Sequence, residues 1–535
     1  MGIKILGSYN FDDIKKSVID SIGGKLLINF SNVMTKIPFE IYVKLSKNIN
    51  NQLSEIISKE GKKYTNNEVC YEIDVSKLGM AWRLPIKRII FYNYYAQSSK
   101  DNLNNALDIF IKDNEKYIKQ NLNSNISVLN ILEKMIDELT NIFRDYFVPV
   151  LFSAMAKGYL QLNKIFEENF KDKPELKQDL NNLTKSLPFV TILMGLDLYK
   201  LTKCLDKNLY KNKSQEEFYQ YFLNKKLPKQ FYEDYELFMK KYGFRGEGEL
   251  DIKNERYSEN PRPLINQIYL SLLMNDENNN PQKDFDDTNA KRPEIFNKLK
   301  KMLKNEDISY EFEQAYNFTV NFFYYRESPK YYLIFIISKI KEIILKRSNI
   351  LLEKNLINDI NDIFKLDIKS LSDILQNVEK YTKEKILNQI KKDNELNEIF
   401  NSWKRCPLLF DSRGKIFTPE KKKSNKKNEL IVDTVSFGKV RGKAKVLNSV
   451  NEKQFNAGEI LITKATDPGW TPLIINSGGI VLEVGGMLQH GALVSREFNK
   501  PCVVGIENVT KIIKDGEEVE VDAVEGIVRL LDREE

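Results

Sequence analysis

Between Asn401 and Asp433 the chain changes its hydrophobic pattern, and the two patterns do not fit one kind of fold. Before the change, apolar residues recur at spacings of three and four in Val128–Phe166, Phe189–Leu205 and Ser309–Leu352, the period of an amphipathic helix. Glycine is sparse there, and breakers such as Lys173-Pro174 and Asn280-Pro281 fall between helical stretches. Asn275–Asn289, rich in Asn and Asp, reads as a surface loop, and alternation in Lys62–Arg83 reads as a short hairpin. After Trp403 a charged stretch, Glu420–Asn428, leads into short β-branched runs separated by glycine-rich turns. The predicted strands are Lys439–Leu447, Glu459–Thr463, Gly479–Leu482, Pro501–Val504, Glu518–Val521 and Gly526–Leu530, with helical pieces at Pro472–Ile475 and Gly491–Phe498. The expectation is a mainly α domain over residues 1–411, a Lys-rich linker over 412–432, and a small α+β domain of β/β/α layering over 433–535.

Composition narrows the function classes. With 82 Lys+Arg against 75 Asp+Glu, the net charge of +7 is too small to imply a nucleic-acid partner. Much of the excess sits in Lys421–Lys427, where a solvated linker explains it. Cys70, Cys204, Cys406 and Cys502 lie far apart without a CxxC pair, so neither a disulfide framework nor a zinc site is expected. Met1–Ser8 lacks the apolar core of a signal peptide, and no apolar run has the length of a membrane span. A cytoplasmic protein that touches no membrane and holds no metal is expected.

The chain has a single histidine, His490. A lone histidine is as often a surface or core residue as a functional one, but its surroundings favour function. It follows Val484-Gly485-Gly486-Met487-Leu488-Gln489 and precedes Gly491-Ala492-Leu493-Val494-Ser495-Arg496-Glu497-Phe498. Two glycines allow a tight turn. A helix starting at the histidine would aim unpaired N–H groups and its positive dipole end at anything attached to the imidazole, which suits a phosphoryl group. Neutral imidazole is a competent nucleophile near neutral pH. Neither a second histidine nor a nearby cysteine offers a partner for a metal site or a hydrolytic triad, which leaves covalent phosphoryl transfer.

These residues also carry a resemblance. Thr466-Asp467-Pro468-Gly469-Trp470-Thr471-Pro472-Leu473, Glu483-Val484-Gly485-Gly486, His490 to Glu497, Pro501-Cys502-Val503-Val504-Gly505, Asp515-Gly516 and Gly526-Ile527-Val528 resemble the phosphohistidine swivelling domain. That domain occurs in the phosphoenolpyruvate synthase, pyruvate phosphate dikinase and rifampicin phosphotransferase families. Gly438-Lys439-Val440-Arg441-Gly442-Lys443-Ala444 opens the similarity, which covers 433–533. Gln489 stands where many members have Ser or Thr. The resemblance implies that His490 is the phosphorylated residue, with Gly485, Gly486, Gly491 and Arg496 as cofactor-binding positions around it.

Upstream, Lys241-Tyr242-Gly243-Phe244-Arg245-Gly246-Glu247-Gly248-Glu249-Leu250-Asp251-Ile252, Leu187-Pro188 with Met194-Gly195-Leu196, and Tyr325-Arg326-Glu327-Ser328-Pro329-Lys330 are similar to the central, substrate-binding domain of rifampicin phosphotransferases. Arg326 and Lys330 are four apart and share a face if the helix persists, although Pro329 is expected to kink it. On spacing alone they are as well read as a structural salt-bridged pair with Glu327. The resemblance favours a phosphoryl clamp, Glu327 is a candidate proton acceptor, and the aromatic residues Phe322–Tyr325, Tyr331 and Tyr332 around the pair favour a hydrophobic or aromatic acceptor molecule in the helical domain. No ATP-grasp domain is recognised, and Gly23-Gly24-Lys25-Leu26 lacks the spacing of a P-loop. ATP and magnesium are therefore expected on a separate ATP-grasp partner, as in phenylphosphate synthase. Two alternatives stay open: a phosphorylation-driven condensing enzyme, and a non-catalytic small-molecule binder that has lost its kinase domain.

Overall fold

The structure, a computed structural model, describes residues 19–22, 25–28, 39, 43, 46, 51–64, 85–142, 150, 153–274, 280–303, 305–402, 409–410, 415–417, 426, 428–450, 452–486 and 489–533. It is mostly helical, with a mixed sheet in the C-terminal region. The helices that frame the site are α1 (Pro85–Asn121), α2 (Val128–Ile142), α3 (Val190–Lys203), α4 (Lys229–Tyr242), α5 (Arg262–Met274), α6 (Pro281–Met302), α7 (Glu306–Phe322) and α8 (Ser328–Glu353). One apolar core joins Ile131, Leu132 and Met135 of α2 to Phe335, Ile336 and Ile340 of α8. A second joins Leu198 and Leu201 of α3 to Phe238 of α4 and Ile265 and Ile268 of α5. The spacings of three and four in these sets are what the sequence pattern requires of helices buried on one stripe.

The sheet has eight strands: β1 (Glu429–Ile431), β2 (Asp433–Ser436), β3 (Lys439–Val446), β4 (Ile460–Thr463), β5 (Gly479–Leu482), β6 (Cys502–Val504), β7 (Glu518–Asp522) and β8 (Ile527–Leu530). Their order is β1-β8-β7-β3-β4-β5-β6-β2. Strands β3 to β6 run parallel to one another, while the pairs β1/β8, β8/β7, β7/β3 and β6/β2 are antiparallel. Val519, Val521, Val528 and Leu530 of the antiparallel half share one core with Ile460, Ile462, Val481 and Val503 of the parallel half. The opposite face of the parallel strands carries α9 (Thr471–Asn476) and α10 (His490–Glu497). Those helices in turn lie against the helical part: Trp470, Leu473, Ile474 and Leu493 share a core with Phe189, Leu196, Leu270, Phe322 and Phe323.

The structure corrects several expectations. Residues 429–431, assigned to the linker 412–432, form β1 and pair with Ile527–Arg529. Ile416–Phe417, in the same stretch, pairs with Leu409–Phe410. Most of Lys421–Lys427 and of the hairpin proposed over Lys62–Arg83 lies outside the described residues, although 62–64 belong to a 3₁₀ turn. Asn280-Pro281 opens α6 instead of lying in a loop. Asn280 accepts a hydrogen bond from Lys283 N, and Pro281 occupies the first turn, where its missing N–H costs nothing. Likewise Pro329 does not kink a helix. It sits in the first turn of α8, and the register break precedes it in the 3₁₀ turn Phe323–Glu327.

Among the described residues, hydrogen bonds at four places tie the sheet to the helices. Gln267 Nε2 donates to Gly469 O at 2.9 Å, Gly248 N to Asp467 Oδ2 at 3.0 Å, and Val450 N to Glu247 Oε1 at 3.4 Å. Ser186 N donates to Glu497 Oε2 at 2.5 Å. Arg292 holds the other side of that turn through the Lys185 and Ser186 carbonyls. Burial pushes the Glu497 carboxyl up to about 7. Because the folded-state value is the higher one, the stability this proton brings is present below the ordinary carboxyl range and is lost as pH rises through 7. Glu497→Gln keeps an acceptor for Ser186 N and removes that loss. Its stability relative to wild type should rise by about 2–3 kcal/mol between pH 5 and pH 8, measured by urea unfolding of the whole chain. A difference that is flat with pH would show the carboxyl to be solvated.

Candidate phosphoryl-transfer site

His490 is the first residue of α10. Gln489 before it is extended (φ −81°, ψ 160°), and its side chain makes no capping hydrogen bond. The first N–H groups of the helix are thus left without a side-chain cap beside the imidazole. The turn that delivers the ring is closed by Gln489 N donating to Gly486 O at 3.0 Å. Tight packing explains two of the glycines. A Cβ on Gly491 would lie 2.5 Å from Thr466 Oγ1 and 2.7 Å from Leu482 Cδ1, and one on Gly485 would lie 2.6 Å from Val504 Cγ1. On the ring itself, Nε2 is 3.5 Å from Thr471 Oγ1. Nδ1 has no hydrogen-bond partner among the described residues.

The helical part brings charge to this ring. Arg245 and Glu249, 2% and 1% exposed, form a two-point pair: Nε to Oε2 at 2.5 Å and Nη2 to Oε1 at 2.8 Å. Lys330 Nζ joins the same carboxylate at 2.9 Å. Although burial alone would push the Glu249 carboxyl up, the two cations hold it down at about 2. Arg326 lies 5.4 Å from the ring centre of Phe323 and 5.8 Å from that of Phe189, with Nη2 3.8 Å from Glu327 Oε1. Thr191 Oγ1 donates to Glu327 Oε2. Asp467 accepts from Gly248 N and Gly469 N, and its carboxyl is pushed up, chiefly by burial.

These surroundings act on the imidazole in one direction. Loss of solvation, then Lys330, Arg245 and Arg326, lower the His490 pKa to about 3, against a smaller opposing pull from Glu249. The ring is therefore neutral at any ordinary pH, with a lone pair to offer, and sits in a positive field. Such a site disfavours a proton and favours an anion. A phosphoryl group on the ring would meet the uncapped helix end and these cations together.

The sequence-predicted residues land in two places. His490, Gly485, Gly486 and Gly491 belong to the loop and helix start, while Arg326 and Lys330, in the 3₁₀ turn and the first turn of α8, act on the ring through their charge. Lys330 pairs with Glu249, not with Glu327. Arg496 is six residues along α10, in its last turn, with Nη1 3.5 Å from Val435 O, so it does not belong to the loop that carries the ring. Arg245, Glu249, Asp467 and Thr471 carry no assignment from the sequence. The opposite charges four apart in Arg245-Gly246-Glu247-Gly248-Glu249 were the available signal.

Comparison with known proteins falls on the same two regions. Residues 146–327 match the rifampicin phosphotransferase fourth domain, and residues 455–526 match the PEP-utilising enzyme mobile domain. A rifampicin phosphotransferase of Bacillus cereus is 35% identical over 300 residues, covering 55% of this chain and 34% of that protein. One from Bacillus subtilis is 33% identical over 298 residues, with the same shares of each chain. The phosphoenolpyruvate synthase of Aquifex aeolicus is 42% identical over 146 residues, 25% of this chain and 17% of that enzyme. The chain spans about a third of the length of the rifampicin phosphotransferases it matches. Two separate segments thus match domains of PEP-utilising enzymes, and the relatives support the PEP-utilising family for this chain.

Proposed function

We propose that this chain is the acceptor-binding and phosphohistidine-carrying part of an ATP-dependent phosphotransferase, with His490 as the carrier. The observation that carries the reading is an imidazole at an uncapped helix start, kept neutral by loss of solvation and by the charges of Lys330, Arg245 and Arg326. In the first step a ring nitrogen of His490 attacks the transferable phosphorus. The nitrogen–phosphorus bond forms as the donor's phosphorus–oxygen bond breaks, and the donor oxygen leaves with the electron pair. In the second, an acceptor hydroxyl attacks the same phosphorus, the bond to the ring breaks, and the lone pair returns to His490. Glu327 takes the hydroxyl proton. Arg326 and Lys330 offset the charge carried by the moving group, the main requirement in phosphoryl transfer.

The donor in this reading is ATP with magnesium, held by a separate ATP-grasp protein. The acceptor is a small hydroxylated or aromatic molecule bound by the helical part, where Phe189, Phe323 and Tyr325 supply apolar surface near Arg326. To reach the donor, the sheet domain leaves the helical part as a body and returns to it with the phosphoryl group.

The nucleophile can be tested without the partner by using phosphoramidate, a small donor that phosphorylates imidazole. Label that is acid-labile and base-stable should appear on wild type and be absent from His490→Ala. With a pKa near 3, the ring is already deprotonated, so ring ionisation should leave the labelling rate flat between pH 5 and pH 8. Free imidazole would instead gain rate across its own titration near 6.5. A wild-type rate that climbs through pH 6.5 would mean that His490 is solvated and ordinary.

The clamp is tested by discharge. Arg326→Ala and Lys330→Ala are each expected to slow transfer from phosphorylated His490 to acceptor by about a hundredfold, or about 3 kcal/mol of transition-state stabilisation. A single-turnover chase of labelled protein measures it. Rates equal to wild type in both variants would return the pair to a structural role.

A further inference from the structure

A second cleft between the helices and the sheet domain lies at the far end of α10 from His490. Arg496 is six residues, about 9 Å of helix rise, beyond the imidazole. The cleft is a cavity of about 200 Å³ reached by Tyr159, Asn182, Lys185 and Phe323 from the helical side and by Leu493 and Arg496 from the sheet side. An adjoining outer cavity of about 260 Å³ shares Asn182 and Lys185 and adds Lys291, Asp284 and Asp287.

Lys185 decides what such a cleft can hold. It is 6% exposed, and its ammonium has neither a hydrogen bond nor an ion pair among the described residues. Lining both cavities, it can offer its ammonium to a ligand there, and burial depresses its basicity despite Glu497 and Asp284 nearby. Glu497, the acid of the inner cavity, already accepts from Ser186 N, and burial favours its neutral form. Tyr159 and Phe323 stack with ring centres 4.5 Å apart and planes 5° apart, and both line the cavity with Leu493.

We propose that this cleft binds a small anion with a flat apolar body, its charge on Lys185 and Arg496 and its body against Tyr159, Phe323 and Leu493. Because the ligand touches both the helical part and the sheet domain, it binds the docked arrangement alone and stabilises it. The cleft shares Phe323 with the proposed acceptor surface, but its charged residues, Lys185 and Arg496, are not those of the transfer step, and it does not depend on phosphorylation of His490.

The test is calorimetry of the whole chain with phenyl phosphate as the probe and inorganic phosphate as the control without an apolar body. Phenyl phosphate should bind wild type and His490→Ala alike, one molecule per chain, and inorganic phosphate more weakly. Lys185→Met should weaken phenyl phosphate binding at least tenfold. Asn182→Asp, which adds a repelling carboxylate at the partly exposed lining, should do the same if Lys185→Met folds poorly. Hydrogen exchange should slow in 180–187 and 493–499 together when the probe is bound. Absence of binding, equal affinity in both lining variants, equal affinity for inorganic phosphate, or loss of binding in His490→Ala would each overturn the proposal.

Discussion

The site depends on keeping a base unprotonated among cations. His490 resists a proton because it is desolvated and because Lys330, Arg245 and Arg326 lie near it, yet those cations would themselves be unstable without an anion. Glu249 supplies it. At 1% exposure it takes two contacts from Arg245 and one from Lys330, which fixes both cations while leaving net positive charge directed at the ring. The carboxylate that binds the cations is thus also what stops them from collapsing onto some other partner. A buried pair of this kind adds little to stability by itself, but removing one member leaves an uncompensated charge. Its worth here is positional.

The same charge system crosses a boundary. Glu249 and Lys330 belong to the helical part and His490 to the sheet domain, so the imidazole acquires its low basicity only where the two meet. That meeting is largely apolar: Trp470, Leu473 and Ile474 against Leu196, Leu270 and Phe322. Separating the parts would expose this surface and return the ring toward its ordinary pKa. In the proposed cycle, departure of the sheet domain therefore carries a cost, and a phosphorylated ring leaving the cations would carry a further one. The docked arrangement is accordingly the low-energy end of any swing.

Much of the sheet was legible in the sequence, and the exceptions have a common cause. The six predicted strands lie within a residue or two of β3 to β8. The two that were not predicted, β1 and β2, are the two edges of the sheet. An edge strand has one neighbour instead of two and tolerates polar residues, so Glu429, Asp433 and Thr434 masked the pattern that central strands display. In the site, His490 and its glycines stood out because a tight turn before a helix has a local signature. Arg245 and Glu249 did not, since charged residues in a glycine-rich segment read as exposed and only the tertiary fold buries them. Asn280-Pro281 was legible but ambiguous, as the same dipeptide serves a turn and a helix start.

The four hydrogen bonds between the parts share one property. Each has a backbone group on one side: the N–H of Ser186, Gly248 or Val450, or the carbonyl of Gly469. A backbone group survives almost any substitution at its own position, so half of every such contact is immune to point mutation. In a diverged helical partner, the polar part of the join would need only the other half, a carboxylate or carboxamide at the right place, beside the apolar surface that Trp470, Leu473 and Ile474 require. The polar contacts of the seam therefore tolerate sequence change on their backbone side, and the apolar contacts are where the two parts have to match.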